Sequence, residues 1–548
     1  MHRAFNHQFE KLRRAYGGLL ALALEHRVLV MSIFAVFAIG SCALYPLIGR
    51  DFFPTVDAGQ IRLHVRARPG TRIEESERIF GRVQDLIRRD IPASEIDTIS
   101  DNIGVPYSSI NMALSDGSLM SSADGEILVA LKEHHRPTAG YVKKLRKDLK
   151  EQFPELVTFF QPADIVTQVL NFGLPAPIDV QVEGPNQNMA ANLKIAQAIQ
   201  REMEKIPGIA DVRMVQVPNV PDLFVKVDRT MASQVGLQQS DVASSLLISL
   251  SSSGMAQPMY WVNPKNGNQY NLAVQTPDYN IHSMDALLNT PVMAPGKGNA
   301  QLLSNLATIQ HTYEAANVTH YDVAPVYDVN ADHLPGADLG SVEQQVKQVI
   351  EQFKLKLPRG SSIRIRGQAE SMDTSFRNMA WGLIAAVILV YALMAVNFQS
   401  WLDPVIILMA LPGALAGILW MLFITQTTIS VPALMGAIMS IGVATANSIL
   451  MITFANDRRK EGRDAHDAAL EAGMTRLRPV IMTALAMIIG MLPMSLGLGE
   501  GGEQNAPLAR AVIGGLTVAT FATLFFVPLV YSALRHQAPH RPIEKELQ

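Results

Sequence analysis

From Val28 to Gly49, Asn378 to Leu402, Pro404 to Asn456, Pro479 to Gly499 and Ala511 to Leu534 the chain carries no Asp, Glu, Lys, Arg or His. Each run matches or exceeds the roughly 20 residues that a helix needs to cross a bilayer's hydrocarbon. The third is long enough for two crossings, and the polar phrase TQTTIS (Thr425 to Ser430) divides it where a tight turn would fall. Six transmembrane helices are therefore expected. A hydrophobic share of 48% with only 17% charged residues fits a membrane chain. A formal net charge of -3 offers no basic field for nucleic acid, and Cys42, the single cysteine, excludes any disulfide within the chain.

Lys and Arg in short flanks mark the cytoplasmic side. Arg3, Lys11, Arg13, Arg14 and Arg27 precede the first span, and Arg458, Arg459, Lys460, Arg463, Arg476 and Arg478 lie between the fourth and fifth. The opposite connections are almost free of them. Both termini are expected in the cytoplasm and residues about 50–377 outside it. The first apolar run is expected to be a span and not a removed leader, because over twenty residues precede it and five further spans follow.

Between the first and second spans the pattern changes to amphipathic helices and alternating strands, and one phrase recurs four times. A charged helix ends at an apolar residue followed by proline, then a strand: Ile91-Pro92, Phe153-Pro154, Ile206-Pro207 and Leu357-Pro358. Proline cannot continue a helix and disfavours helical geometry in the residue before it. Strand patterns precede each helix at Gln60, Glu126, Ile178 and His320, and Thr71-Arg72-Ile73-Glu74 reads as a capping box at the first helix. Four strand-helix-strand units make two split βαβ domains of the ferredoxin-like type. The resulting plan is an α-helical integral membrane protein with a large α+β region outside. An amphipathic segment at 1–27 precedes the first span at 28–49. The first βαβ domain occupies 50–175, and the second is assembled from 176–227 and 320–377. An inserted lobe at 228–319 holds an apolar helix and a hairpin turned at Lys265-Asn266-Gly267-Asn268. The second span covers 378–402, the third and fourth 404–455, and the fifth and sixth 479–534. A basic connection at 456–478 and a tail at 535–548 complete the chain.

No catalytic constellation emerges, so no enzyme activity and no cofactor are expected. Gly497-Leu498-Gly499-Glu500-Gly501-Gly502 spells a dinucleotide fingerprint, yet no strand precedes it and it connects two membrane helices. The 25 methionines are dispersed. They serve as apolar filler, or, if a fold gathers their thioethers, as ligands for a soft metal ion.

The fourth span repeats small residues at Gly436, Ser440, Ala444 and Ser448, and Gly413/Gly417 and Gly515/Ala519 do the same on the third and sixth. Such faces let helices approach closely. Thr445, Asn447 and Ser448 then either form interhelical hydrogen bonds, worth on the order of 1 kcal/mol each, or line a proton or ion path. With no ionisable group in the apolar centre of any run, they can line a path but cannot be its switch.

NFQSWLDPVIILMALPGALAG at Asn397, IGVATANSILMITFA at Ile441, EAGMTRLRPVIMTALAMIIGMLP at Glu471 and GEQNAPLARAVIGGLTVATFATLFFVP at Gly502 resemble the C-terminal half of a resistance-nodulation-division (RND) efflux permease, over about Asn6 to Leu534. The resemblance implies a proton-driven antiporter in the bacterial inner membrane, trimeric, working with a periplasmic adaptor and an outer-membrane channel. Its βαβ domains would be porter domains and its lobe a docking region. The proton-carrying aspartate pair would come from an N-terminal RND half. Arg476 and Thr483 match a relay Arg and Thr, and Asn447 matches an Asn beside the relay lysine, a lysine that Ala446 replaces here. The cargo expected is hydrophobic or amphiphilic, such as drugs. Heavy-metal export is the alternative, since metal exporters lack that lysine; a non-transporting fragment is another. Substrate contacts are expected from Tyr107 in the loop Asn102 to Ser122, and from Phe159 and Phe160. One of those two rings faces a cleft, or one is core and the other edge.

Overall fold

The computed structural model describes residues 2–105, 117–171, 173–294, 300–498 and 501–535. Two compact units divide them, one of residues 1–216 with 318–548 and one of Val217–Asn317.

Among its described residues the larger unit contains six helices long and apolar enough to cross a membrane: Arg27–Ile48, Gln368–Phe398, Leu402–Ile424, Val431–Lys460, Ala465–Ser495 and Gly502–Leu534. The sixth is the most enclosed, because the small residues of its neighbours converge on it. A Cβ on Gly417 of the third helix would collide with the Gly514 carbonyl oxygen, and one on Gly436 of the fourth with the Leu508 carbonyl oxygen. A Cβ on Gly515 would strike the Ser440 hydroxyl. The amphipathic helix His2–Glu25 lies against the fifth helix through Tyr16 and Leu20 at Gly473, and Arg13 Nε donates to the Met474 carbonyl at 3.1 Å. Leu12, Leu19 and Leu22 of the same helix remain exposed.

Helix ends depart from the uncharged runs where charged residues are also good helix formers. The fifth helix begins at Ala465, capped by Asp464, so most of the basic connection is helical. The second helix begins at Gln368, directly after a strand, and buries Gln368, Ala369 and Met372. The reversal falls on Gly367, at φ 88°, where a side chain would meet the Pro177 carbonyl oxygen at 2.6 Å. Membrane helix and sheet are thus joined without a loop.

The described strands of the larger unit form two antiparallel sheets. The first orders β1 (Gln60–Arg66), β2 (Ile96–Ile103), β3 (Asp124–Leu131) and β4 (Val157–Gln161) as β2-β3-β1-β4. Helices Ile73–Asp90 and Thr138–Gln152 cover one face through Phe80, Val83, Ile87, Leu145 and Leu149. The second repeats that order with β5 (Ile178–Glu183), β6 (Ile209–Met214), β8 (Ala324–His333) and β9 (Ser362–Gly367) as β6-β8-β5-β9, with β7 (Thr319–Tyr321) as a hairpin partner of β8. In every unit the helix stops at or just before the proline phrase, as at Asp90 and Gln152. The capping box does not form. Helix one starts at Ile73 with Arg72 as its cap and no side-chain cap bond, because the Thr71 hydroxyl turns back to the Arg68 carbonyl at 2.7 Å.

The smaller unit extends beyond the boundary drawn from the sequence. Strand Val220–Val227 pairs with Ala307–Glu314 and belongs to this lobe. Helix Gln239–Leu250 is present, as is a hairpin of Met259–Val262 with Gln269–Leu272 turned at Gly267. Tyr260, Trp261, Val262 and Tyr270 of that hairpin are all exposed.

Candidate functional site

The polar residues of the fourth helix separate by direction. Asn447, 4% exposed, meets the fifth helix: Thr483 Oγ1 lies 3.1 Å from Asn447 Oδ1. The same hydroxyl is 3.1 and 3.0 Å from the Pro479 and Val480 carbonyls, so one proton is shared among three acceptors. Ser448, fully buried, points to the sixth helix, with Thr523 Oγ1 at 3.1 Å and its own Ala444 carbonyl at 3.0 Å. Thr445 donates to the Ile441 carbonyl at 2.8 Å and spends its hydrogen within its own helix. Ala446, Gly442 and Thr483 lie on exposed faces of these helices, and no atom approaches within 4 Å of a Cβ placed on Gly442.

Arg476 is not with this group. It stands seven residues before Thr483, nearly two helical turns. Its guanidinium carbon is 5.2 Å from the Phe454 ring, whose centroid is 4.8 Å from that of Arg458. Arg458 in turn pairs with Glu461 and Glu471, making a basic end to the bundle.

A buried carboxylate that the sequence reading passed over lies at the same end. Asp403, 2% exposed, opens the third helix. It accepts from Arg535 at 2.6 Å and Asn456 at 3.1 Å, and Tyr531 donates to Asn456 at 2.8 Å. Asp403 is the single charge between two uncharged runs, which made it look like a boundary. Its Pro404 neighbour, favourable in the first turn of a helix, was the available sign that a helix begins there.

Phe159 and Phe160 occupy opposite faces of β4, and both are buried. Phe159, 1% exposed, is stacked on His64 at 4.3 Å, and the Arg213 guanidinium carbon lies 3.3 Å from its ring centroid. Burial pushes His64 down in pKa, and its Nε2 shares Asp124 with Arg66. Burial opposes ionisation of Asp124, but the His64 hydrogen bond and the Arg66 charge outweigh it and hold its carboxyl below the usual range. Phe160, 8% exposed, packs into the first core and borders a cleft of about 1360 Å³. Tyr107 lies outside the described residues. That cleft runs from the sheets to the ends of the third and sixth helices and is lined by Asp51, Asp57, Asp164, Asp332, Asp338 and Glu503 against Arg146, Arg510 and His333, with no methionine among the described lining residues.

On the second sheet Asp179 is 1% exposed, facing Asn330 across β8 and Arg366 across β9. Burial, then repulsion from Asp328, pushes its carboxyl well above the usual range; Gln181, Arg366 and Arg213 act the other way. A raised folded pKa means that its stabilisation is complete below the unfolded value and is lost as pH rises towards the folded one. Asp179→Asn is therefore expected to raise the thermal unfolding midpoint at pH 7 more than at about pH 4. An equal shift at both pH values in a melt of the solubilised chain would refute this.

Comparison with known proteins places the arrangement. The cobalt-zinc-cadmium resistance protein CzcA of Cupriavidus metallidurans is 25% identical over 526 residues, covering 95% of this chain and 48% of that protein. The cation efflux system protein CzcA of an Alcaligenes species gives the same identity and coverage. The chain thus spans about half the length of the curated relatives it matches. An X-ray crystal structure of a heavy metal efflux pump superposes with a TM-score of 0.79 in each of two crystal forms, at 24% identity, over 97% and 96% of this chain and 52% and 51% of the other. These relatives are named for metals, where the sequence reading leaned towards hydrophobic cargo. A family model described as the AcrB/AcrD/AcrF family matches residues 1–535, and the chain belongs to that family of RND permeases.

Proposed function

We propose that this chain supplies the C-terminal half of a proton-driven exporter of divalent heavy-metal cations. The observation that carries the reading is its similarity, over 95% of its length, to proteins named for cobalt, zinc and cadmium resistance and for cation efflux. Ala446, in the place of the lysine of drug exporters, supports it. So does the cleft, whose six carboxylates outnumber Arg146, Arg510 and His333 and favour cations. Among the described residues no three His, Cys, Asp or Glu side chains cluster as a metal site, so the charge of the cleft attracts cations without selecting one.

In this reading the exposed strip of Gly442, Ala446 and Thr483 faces the aspartate pair of an N-terminal RND half. With no lysine to exchange partners, Asn447 and Thr483 hydrogen-bond those carboxylates directly, while Ser448 and Thr445 line the path and Arg476 tunes its basic end. The two βαββαβ sheets are ferredoxin-like porter domains, and the lobe of residues 217–317 docks towards an outer-membrane channel. A trimer with a periplasmic adaptor sits in the inner membrane, with both termini cytoplasmic and residues about 50–377 periplasmic.

Deleting the chain in its native host is expected to raise sensitivity to zinc, cobalt or cadmium at least about fourfold and to leave hydrophobic dyes and detergents unaffected. Thr483→Ala should reproduce the deletion with normal membrane levels, a loss consistent with removing a group from a proton path. Sensitivity to dyes alone would restore the hydrophobic-cargo reading, and an unchanged host would favour a chain that inserts but moves nothing.

A further inference from the structure

The sixth helix is not α-helical throughout: over Ala522–Phe526 it widens into a π turn, in which the Val527 amide reaches the Ala522 carbonyl. The cause lies two residues beyond. In an α-helix the Leu524 carbonyl would accept from the amide four residues on, and that residue is Pro528, which has no N–H. The missing hydrogen comes from another part of the chain. Tyr16, on the amphipathic helix His2–Glu25, donates its hydroxyl to the Leu524 carbonyl at 2.6 Å. Both residues are 5% exposed, so water is a poor substitute.

The surroundings are shaped for this bond. A Cβ on Gly473 of the fifth helix would lie 2.7 Å from the Tyr16 oxygen and 2.6 Å from Leu20 Cδ2, so glycine leaves the space through which the hydroxyl passes. The Tyr16 ring meets Phe525 edge-on at 5.2 Å, and Phe526 stacks on Phe34 of the first helix at 4.0 Å. Within the same turn, fully buried Thr523 meets Ser448, one residue from the Asn447 that Thr483 touches.

We propose that Tyr16 is a positioning residue for the sixth helix, supplying the hydrogen that Pro528 lacks and so holding the π turn with Thr523 against Ser448. Losing that bond lets the turn shift and carries Thr523 off the fourth helix, so the amphipathic helix sets the geometry beside Asn447. Its effect on export rests on the transport reading; the bond itself does not.

Hydrogen exchange of the intact chain in lipid nanodiscs tests the proposal without any cargo. Tyr16→Phe keeps the ring contacts and removes the hydroxyl, and is expected to speed exchange in peptides covering 522–534 on the order of tenfold, the scale for orphaning one buried acceptor. Helix His2–Glu25 should keep its protection. Gly473→Ala, which displaces the hydroxyl while retaining Tyr16, should give the same local pattern. Pro528→Ala in the Tyr16→Phe background restores an amide for Leu524 and should return exchange to the wild-type rate. Unchanged exchange in Tyr16→Phe would overturn the proposal, as would faster exchange that Pro528→Ala leaves in place. Failure of the export reading would show separately, as a wild-type chain that confers no metal resistance.

Discussion

Gly417→Ala is expected to lower the stability of the helix bundle by about 3 kcal/mol, the upper end of overpacking costs, although it adds only one methyl group. The third and sixth helices cross at Gly417 and Gly514 with backbone on backbone. A Cβ at 417 would strike the Gly514 carbonyl oxygen and lie 2.8 Å from Val518 Cβ. A flexible side chain could turn aside; a helix carbonyl cannot. The helices must therefore separate along their length, and Gly514, whose own Cβ would meet Met421 and the Gly417 carbonyl, leaves no slack on the facing side. Gly442→Ala, on the exposed face of the fourth helix, serves as the control and should be neutral or stabilising by up to about 1 kcal/mol, the ordinary gain of Ala over Gly within a helix. Fluorescence-detected chromatography after graded heating would report the difference. Equal melting of Gly417→Ala and Gly442→Ala would show that the contact does not hold the bundle.

Asp403→Ala is expected to cost about 3–5 kcal/mol, the range for breaking a buried ion pair by removing one partner. Asp403 joins the start of the third helix to Asn456 near the end of the fourth and to Arg535 just beyond the sixth. Its loss orphans the Arg535 charge, 25% exposed at its side chain, and frees one amide hydrogen of Asn456, the residue whose oxygen receives Tyr531. Removing both charges, as Asp403→Asn with Arg535→Gln, should recover most of that loss, because the residual polar groups can still hydrogen-bond. A double variant no better than the single would mean that Asp403 acts through helix capping and not through the pair.

The spans were legible because absence of charge over a bilayer's thickness has few explanations, and the paired sheets because four apolar-proline phrases each stop a helix before a strand. Gly436, Ser440, Gly417 and Gly515 were legible as close-approach faces from spacing alone. What escaped was whatever depends on a distant partner. Val220–Val227 falls in the range that the sequence assigns to the second βαβ domain, but its pairing with Ala307–Glu314 places it in the lobe. Thr71 and Glu74 have capping-box spacing, but the local turn claimed the hydroxyl first. Arg476 matched a relay position, yet its guanidinium stacks on Phe454, a contact that no spacing rule reports. Asp403 was hidden by its position between runs.

The hairpin of the lobe gives the molecule a built-in optical division. Of the four tryptophans, Trp261 sits exposed on that hairpin, while Trp381, Trp401 and Trp420 lie on or beside the second and third membrane helices, with Trp381 and Trp401 the most exposed to the surroundings. Aqueous iodide should therefore quench chiefly the Trp261 emission, and brominated acyl chains chiefly that of the other three. One native chain thus carries separate reporters for its lobe and its membrane helices, with no label attached.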